Sequence, residues 1–178
     1  MPSFRCSILP AMTPTDVAAE VTSNEPLSPD YNVVSLAAPT IAAAAAPGQF
    51  VMVKAGCGHD PLLRRPFSVF EVLRNARGAA TGISLLNKRI GTSTAWLHGA
   101  QPGQRVACLG PLGRPFETVD PPAEAWMVAG GVGLAPFATL GDALLARGTK
   151  TTLFYGARSG AELFYLDWFT SRVRAVLS

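Results

Sequence analysis

The sequence predicts two structural parts in chain order, an antiparallel β domain followed by a partial parallel α/β sheet. Residues 16–119 contain short apolar runs separated by Pro and Gly turn signals, which is typical of a small barrel or sandwich. After Asp120-Pro121-Pro122 the pattern changes to strands alternating with helical periodicity, the order of a parallel sheet. We therefore expect a leader over residues 1–15, a β domain over 16–120 and an α/β domain over 121–178.

Four apolar runs, each bounded by turn signals, predict strands of the first domain. They occupy residues 49–55, 67–72, 82–87 and 105–109. Between the last two runs, residues 92–98 predict one short helix with Thr92 or Ser93 as its N-cap.

The second domain begins with a strand over residues 125–129, a continuous apolar run typical of a sheet buried on both faces. Gly130-Gly131-Val132-Gly133 follows directly and opens a helix with Pro136 in its first turn. Gly148 is expected to end this helix. Its apolar face is predicted to comprise Phe137, Leu140, Leu144 and Leu145.

A second strand is predicted over residues 151–155, and a third helix after it. Ser159 and Glu162 have the spacing of a capping box, so this helix would begin there and continue through Phe169. A parallel sheet that stopped after two strands would leave its edges unpaired and one apolar face uncovered. We therefore expect the chain to be a C-terminally truncated fragment, or a reduced form that relies on another protein to cover that face.

Composition excludes several classes of protein. Hydrophobic residues make up 48% of the chain and charged residues 15%, which indicates a globular protein rather than a disordered one. The net charge is +3, and the basic residues are scattered rather than gathered in a stripe, so we expect no nucleic-acid partner. The Ala-rich run at residues 41–46 is far too short to span a bilayer.

The three cysteines indicate neither a disulfide framework nor a metal cluster. Cys6, Cys57 and Cys108 lie far apart and form no CxxC pair. This usage is typical of a reduced, cytoplasmic protein. Side chains that could bind a metal gather in the sequence at a single place, the stretch from Cys57 to Asp60. One such stretch is a weak signal, and we interpret it as a polar loop. We therefore predict no metal ligands.

Arg65-Pro66-Phe67-Ser68 is the strongest candidate for a binding segment. Pro66 cannot donate to a sheet ladder and holds the preceding Arg65 extended, in a position from which its planar guanidinium could bind a diphosphate. The Ser68 hydroxyl, near the start of the same strand, could reach a bound ring. The alternative is a solvated arginine pair ahead of an ordinary edge strand.

Two glycine turns are candidates for phosphate contacts. Gly91 and Thr92 stand at a strand-to-helix junction, where free N–H groups attract phosphate oxygens, although an isolated Gly-Thr is more often a plain turn. Gly130, Gly131 and Gly133 follow a strand and open a helix, which is the context of a nucleotide-binding loop. The alternative there is a tight turn. No nucleophile or acid–base pair is evident, which fits chemistry supplied by a redox cofactor.

Taken in order, these segments resemble a known family. The motifs PGQFVMV, LRRPFSV, IGTSTAWL, LGPLGRPF, AGGVGLAPF and YGARSGAELFYLDWF lie between Pro47 and Phe169, and the resemblance covers roughly residues 16–169. Their order is similar to that of the dihydroorotate dehydrogenase electron-transfer subunits, within the ferredoxin–NADP reductase superfamily. The resemblance implies a flavin-binding antiparallel β-barrel followed by an NAD(H)-binding α/β domain.

The resemblance also implies roles for individual residues. Arg65, Pro66, Phe67 and Ser68 match the FAD motif of the family. Leu86, Asn87 and Lys88 match a strand that lines FAD, with Asn87 in place of an aromatic residue, and Gly91 and Thr92 match the diphosphate-binding pair. Gly130, Gly131 and Gly133 fall on the nicotinamide-nucleotide loop.

The function implied is electron transfer through FAD, from NADH to a catalytic partner that contains FMN, within a hetero-oligomer. The family also carries a [2Fe-2S] cluster, but Cys6, Cys57 and Cys108 match none of its ligands and the chain ends before that motif. Two alternatives stay open. The chain could be the reductase subunit of another complex, of hydrogenase or sulfite-reductase type, or a non-catalytic module that binds FAD or a partner.

Overall fold

The first seven strands form one antiparallel sheet. The computed structural model describes residues 13–56, 62–117 and 124–178. The strands are β1 Thr15–Pro26, β2 Tyr31–Ala37, β3 Phe50–Lys54, β4 Arg65–Ser68, β5 Glu71–Arg74, β6 Ala80–Lys88 and β7 Arg105–Leu112. In the sheet they follow the order β4-β3-β7-β1-β2-β6-β5 and curl into a half-barrel with β4 and β5 at its edges. Two short helices belong to this part, α1 Pro39–Ala44 and α2 Thr92–His98.

The second part is a parallel sheet of three strands in the order β10-β9-β8. Its elements are β8 Ala125–Gly130, a 3-10 turn at Gly131–Leu134, α3 Ala135–Ala146, β9 Thr151–Gly156, a 3-10 turn at Gly160–Glu162, α4 Leu166–Thr170 and β10 Arg174–Leu177. The predicted fold class is therefore confirmed, an antiparallel β part followed by a parallel α/β part. No helix in the described ranges is both long enough and apolar enough to cross a membrane.

Two apolar cores hold the molecule together. One fills the curl of the antiparallel sheet, where Val34, Leu36 and Leu85 are fully buried beneath Ile41 of α1 and Leu97 of α2. The other lies between the two sheets and joins outward-facing residues of the half-barrel to the inner face of the parallel sheet. Its members include Val33, Phe70, Leu86, Met127, Leu153, Tyr155 and Phe169. Because this second core is shared, the two sheets pack against each other.

The apolar run at residues 67–72 is not one strand, as the sequence predicted, but parts of two. β4 ends at Ser68 and β5 begins at Glu71, and these strands lie at opposite edges of the sheet. Val69 is buried in the half-barrel core, whereas Phe70 is buried in the core between the sheets. The run is apolar because its residues serve two cores, so periodicity alone could not reveal the break. Helix α1, in the Ala-rich run, was not predicted.

The predicted domain bounds fall partly outside the described residues. β1 begins at Thr15, the last residue of the proposed leader, and residues 1–12 lie outside the described ranges. The predicted break at Asp120-Pro121-Pro122 lies within residues 118–123, which are also outside them.

The prediction that the first parallel strand is buried on both faces is wrong. Met127 and Ala129 point into the core, but Trp126 and Val128 are 71% and 74% exposed on the opposite face. Both crossover helices contribute to the core on the Met127 side, so the other face has no covering layer among the described residues. Leu145, predicted on the apolar face of α3, is likewise exposed, whereas Leu144 is buried.

The third predicted helix is also wrong in its extent. Ser159 makes no side-chain capping bond, and the Glu162 carboxylate instead pairs with Arg158. Tyr165 has a left-handed φ of 59°, which separates the 3-10 turn from α4. The chain then adds β10, a third parallel strand that the sequence did not predict.

Candidate functional site

An open cleft of about 680 Å³ lies where the half-barrel meets the parallel sheet. This volume falls within the usual range for ligand sites, about 300–1,000 Å³. Three separate segments line it: the approach to and start of β4, the end of β6 with the first turn of α2, and the turn after β8. Its lining residues are Leu62, Leu63, Arg65, Pro66, Phe67, Ser68, Leu86, Lys88, Ile90, Gly91, Thr92, Ser93, Thr94, Val132 and Ala135.

The two arginines ahead of β4 have different surroundings. Arg64 forms an ion pair with Asp16, at 2.7 Å between Nη2 and Oδ2. Arg65 lines the cleft, and no hydrogen bond or ion pair joins its guanidinium to any residue that the structure describes. A planar cation with all its donors available is suited to bind an anion bidentately.

Pro66, Phe67 and Ser68 follow Arg65 along the edge strand. Pro66 lies opposite Met52 of β3 at the sheet edge, a position where its missing N–H leaves no ladder bond unmade. Phe67 is buried against the half-barrel core, which anchors the strand, and Ser68 is half-buried beside the cleft. All four residues of the predicted motif therefore line one cavity.

The end of β6 contributes Leu86 and Lys88 to the cleft but not Asn87. Successive residues of a strand point to opposite faces, so Asn87 points away from its two neighbours. It is fully buried beneath α2, where its amide nitrogen donates to Asn32 and to the backbone carbonyl of Thr94. Asn87 therefore does not line the cleft, and its contact with a cofactor stays a prediction. The Lys88 ammonium lies 4.8 Å from the centre of the Tyr31 ring, a cation–π contact.

The turn from β6 into α2 lines the same cleft as Arg65. Gly91, rather than Thr92 or Ser93, occupies the N-cap position. The Thr94 hydroxyl accepts hydrogen bonds from the backbone N–H groups of Ile90 and Gly91, at 2.9 and 3.0 Å. This arrangement is one half of a capping box: the third helical residue reaches back to the cap, but Gly91 has no side chain to complete the reciprocal bond. Gly91 and Thr92 therefore lie in the same cavity as Arg65, on a turn braced by Thr94.

The glycine turn after β8 borders the cleft rather than lining it. Val132 and Ala135 face the cavity, whereas Gly130, Gly131 and Gly133 are not among its lining residues. Gly130 lies directly opposite Gly156 at the carboxyl ends of β8 and β9. This end of a parallel sheet is where nucleotides bind in open α/β folds. Gly131 has a φ of +53°, and a Cβ there would lie 3.3 Å from the Tyr31 hydroxyl, so a side chain would be strained.

None of the described groups with a shifted pKa lines the cleft. Across the part of the chain that the structure describes, no three His, Cys, Asp or Glu side chains gather in a way that could hold a metal ion. Burial raises the pKa of the Cys108 thiol to about 12, and this side chain is fully buried in the half-barrel core. The hydrogen bond from Arg158 lowers the pKa of Glu162, beyond the carboxyl end of β9.

Sequence reasoning missed several cleft residues. Thr94 could have been found from its spacing to Gly91, because a polar side chain three residues after an N-cap is a capping signal. Leu62, Leu63 and Ile90 carry no such signal; they are exposed apolar side chains at the rim. Val132 and Ala135 reach the cleft because of how the two sheets pack, which no local pattern records.

Comparisons with known proteins identify the class first. Residues 127–174 match the family described as the oxidoreductase NAD-binding domain. Two solved structures have closely similar folds, an NADH-dependent reduced ferredoxin–NADP oxidoreductase and a cytochrome P450 reductase from Amycolatopsis. The first has a TM-score of 0.77 at 24% identity, covering 90% of this chain and 56% of that one. The second has a TM-score of 0.76 at 26% identity, covering 92% and 51%. The chain has the fold of the ferredoxin reductases.

The particular relatives are electron transfer subunits of dihydroorotate dehydrogenase B (NAD(+)). The subunit of Desulforamulus reducens is 39% identical over 132 residues, which cover 74% of this chain and 49% of the relative. That of Geobacillus kaustophilus is 39% identical over 127 residues, covering 70% and 48%. The chain is a homologue of these subunits, as the motif order predicted, and spans about half the length of the curated relatives it matches. The predicted cofactors, FAD and NAD(H), agree with these comparisons.

Proposed function

We propose that this chain is an electron-transfer flavoprotein subunit that binds FAD in the cleft and exchanges electrons with NAD(H). The observation that carries the proposal is the meeting of Arg65 and the Gly91 turn in one cavity that also reaches the turn after β8. The homologous dihydroorotate dehydrogenase B subunits support the same assignment. When bound, the flavin would supply the redox chemistry by accepting a hydride and releasing its electrons one at a time.

The chain's own residues would bind and orient the cofactor. Arg65 would clamp the diphosphate by a charge-assisted, bidentate contact, opposite the backbone of Gly91 and Thr92. Pro66, Phe67, Ser68, Leu86 and Lys88 would enclose the remainder of the cofactor, since all five line the same cavity. The apolar part of this lining would exclude water from the bound ring.

The nicotinamide nucleotide would bind at the carboxyl ends of β8 and β9. Gly130 and Gly131 lack side chains there, and Gly133 has open space around its Cα, so a nucleotide could approach the backbone. The family matched by residues 127–174 supports this position. Val132 and Ala135 lie on the cleft side of the same turn, so the two proposed binding positions would adjoin each other there.

The electron acceptor we propose is a catalytic dihydroorotate dehydrogenase subunit that contains FMN, in a hetero-oligomer active in pyrimidine biosynthesis. The names of the homologous subunits support this partner. A cytoplasmic location belongs to the same proposal and rests on the scattered cysteines. We likewise propose residues 16–120 as the flavin domain and 121–178 as part of the nucleotide domain.

The test is to load the purified chain with FAD, remove free cofactor and add NADH without oxygen. The expected result is a yellow protein whose visible flavin absorbance is lost on mixing with NADH. A colourless protein that takes up no FAD would refute the proposal. FAD uptake without reduction by NADH would instead favour a non-catalytic module that binds FAD or a partner.

A further inference from the structure

Three asparagines lie side by side beneath α2, and we call them the asparagine triad. Asn24, Asn32 and Asn87 belong to the adjacent strands β1, β2 and β6. Asn32 and Asn87 are directly opposite each other in the strand register, and both are fully buried. Asn24 is half-buried at the outer end of the row. None of the three lines the cleft.

The triad forms a continuous chain of hydrogen bonds with one direction. Asn87 Nδ2 donates to Asn32 Oδ1 at 2.8 Å, and Asn32 Nδ2 donates to Asn24 Oδ1 at 2.6 Å. The amide nitrogens also face α2 and the residues just after it. Asn87 Nδ2 donates to the carbonyl of Thr94 at 3.0 Å, and Asn24 Nδ2 lies within hydrogen-bonding distance of the carbonyls of Leu97, His98 and Ala100, at 3.2, 3.0 and 2.8 Å.

These contacts supply what α2 lacks by itself. The last carbonyls of any helix have no partner inside the helix, and a helix of two turns is marginal in water. The Leu97 carbonyl also accepts from the Ala100 N–H, but apolar residues in place of the triad would remove the Asn24 donor from the carbonyls of His98 and Ala100, at a cost in free energy. The triad therefore serves α2 specifically and is not simply part of the half-barrel core.

Thr94 connects the triad to the cleft. Its carbonyl accepts the hydrogen bond of Asn87, and its hydroxyl accepts those of the Ile90 and Gly91 backbone N–H groups. A displacement of α2 would therefore move the Gly91 turn relative to Arg65, which lines the same cavity.

We propose that the asparagine triad is a positioning device, which sets the distance between the Gly91 turn and Arg65 that a dinucleotide's diphosphate requires. This inference rests on the proposed binding of FAD. Asn24, Asn32 and Asn87 are positioning residues in it, because they act through α2 and do not touch the cofactor.

The test compares Asn24→Ala with Asn75→Ala. Asn24 is half-buried, so its loss leaves the buried Asn32–Asn87 pair in place. Asn75 is the control, because its side chain also bonds the backbone, with Oδ1 accepting from the N–H groups of Arg77 and Ala79, but in the exposed turn between β5 and β6. Asn24→Ser, which keeps a hydroxyl donor, is made alongside and is expected to show an intermediate effect.

Two measurements are made on each variant: amide hydrogen exchange of the cofactor-free chain and the dissociation constants of FAD and riboflavin. For Asn24→Ala we expect about tenfold faster exchange at residues 92–98 and about tenfold weaker FAD binding. Riboflavin, which lacks the diphosphate, should bind unchanged. Asn75→Ala should alter none of these.

Unchanged FAD affinity, or an equal loss for FAD and riboflavin, would overturn the positioning role. If Asn24→Ala does not fold, the same comparison of FAD and riboflavin affinities is made on Asn24→Ser, and its result decides. If the unaltered chain binds neither flavin, the proposed function fails. In that case, faster amide exchange at residues 92–98 would still show that the triad stabilises α2. Unchanged exchange would refute this stabilising role too.

Discussion

Arg64 is tied to Asp16 by two parallel hydrogen bonds, from Nη1 to Oδ1 at 3.0 Å and from Nη2 to Oδ2 at 2.7 Å. Its neighbour Arg65 lines the cleft and has no partner among the described residues. The two arginines are adjacent in sequence, yet one belongs to the scaffold and the other is available to a ligand.

Because of this difference, Arg64→Ala can serve as the control for Arg65→Ala. Arg65→Ala should weaken FAD binding by about 1.5–3 kcal/mol, because a hydrogen bond to a charged group is lost. Arg64→Ala should leave FAD affinity nearly unchanged and lower the free energy of unfolding by less than about 1 kcal/mol, as for an exposed ion pair. Titration calorimetry with FAD and urea unfolding measure the two quantities. Equal loss of affinity in both variants would contradict the assignment.

The brace at Thr94 predicts a second effect. Thr94→Val keeps the shape of the side chain but removes the acceptor for the N–H groups of Ile90 and Gly91. We expect a loss of about 1 kcal/mol in the free energy of unfolding, typical of a lost cap, together with weaker FAD binding. Thr94→Ser retains the hydroxyl and should restore both values. Urea unfolding and FAD titration of the three proteins check this, and a serine variant no better than valine would count against it.

The glycine turn after β8 offers a matched pair of substitutions. Gly131→Ala places a Cβ at 3.3 Å from the Tyr31 hydroxyl, on a residue with φ of +53°. The left-handed conformation alone should cost about 1–2 kcal/mol. Gly133 has no left-handed φ, and its Cβ would meet nothing within 4 Å, so Gly133→Ala should be tolerated. The urea unfolding midpoints of the two variants measure this cost. Similar losses of stability in both would show that the strain at Gly131 is unimportant.

Glu71 predicts a dependence of stability on pH. Burial raises its pKa above 4.5, and the hydrogen bond from Ser84 offsets this in part. The folded state therefore binds the proton more tightly than the unfolded state. The stability that this provides is complete below the unfolded pKa and is lost as the pH rises through the folded value.

We accordingly expect Glu71→Gln to gain stability relative to the unaltered chain as the pH rises from about 4 to 7. The measurement is the difference between the two urea midpoints at each pH. A difference that does not change with pH would show that Glu71 titrates alike in both states.

Cys108 is expected to be unreactive in the folded protein. It is fully buried, and burial raises its pKa to about 12, so the nucleophilic thiolate is scarce at neutral pH. In a variant in which Cys6 and Cys57 are replaced by Ala, alkylation by iodoacetamide should require unfolding. Mass spectrometry of the protein with and without urea checks this. Rapid labelling without urea would show that the half-barrel core opens readily.

Local pattern was a good guide wherever short-range chemistry decides structure. Helix α2 was predicted with the bounds at which it occurs, Thr92–His98, because a turn signal precedes it and a glycine follows it. β9 agreed to within one residue, since the run from Thr151 has high β propensity between turn residues. The homology of residues 127–174 to nucleotide-binding domains also followed from the glycine turn and its place after a strand.

Pattern failed wherever an apolar residue could be buried in more than one way. Val69 and Phe70 read as one strand but enter different cores, and Trp126 reads as buried but faces outward. Asn87 was placed among the cofactor contacts by its position in a motif, and the alternation of β6 turns it toward α2.

The sequence by itself determined the order of the two sheets and the extent of α2, because these depend on backbone preferences within a few residues. Only the tertiary structure decided that Arg64 is paired with Asp16 while Arg65 has no partner among the described residues, and that the Gly91 turn lines the same cleft as Arg65. These relations join residues far apart in the chain, and they arise from how the curled sheet closes over one core and packs against another.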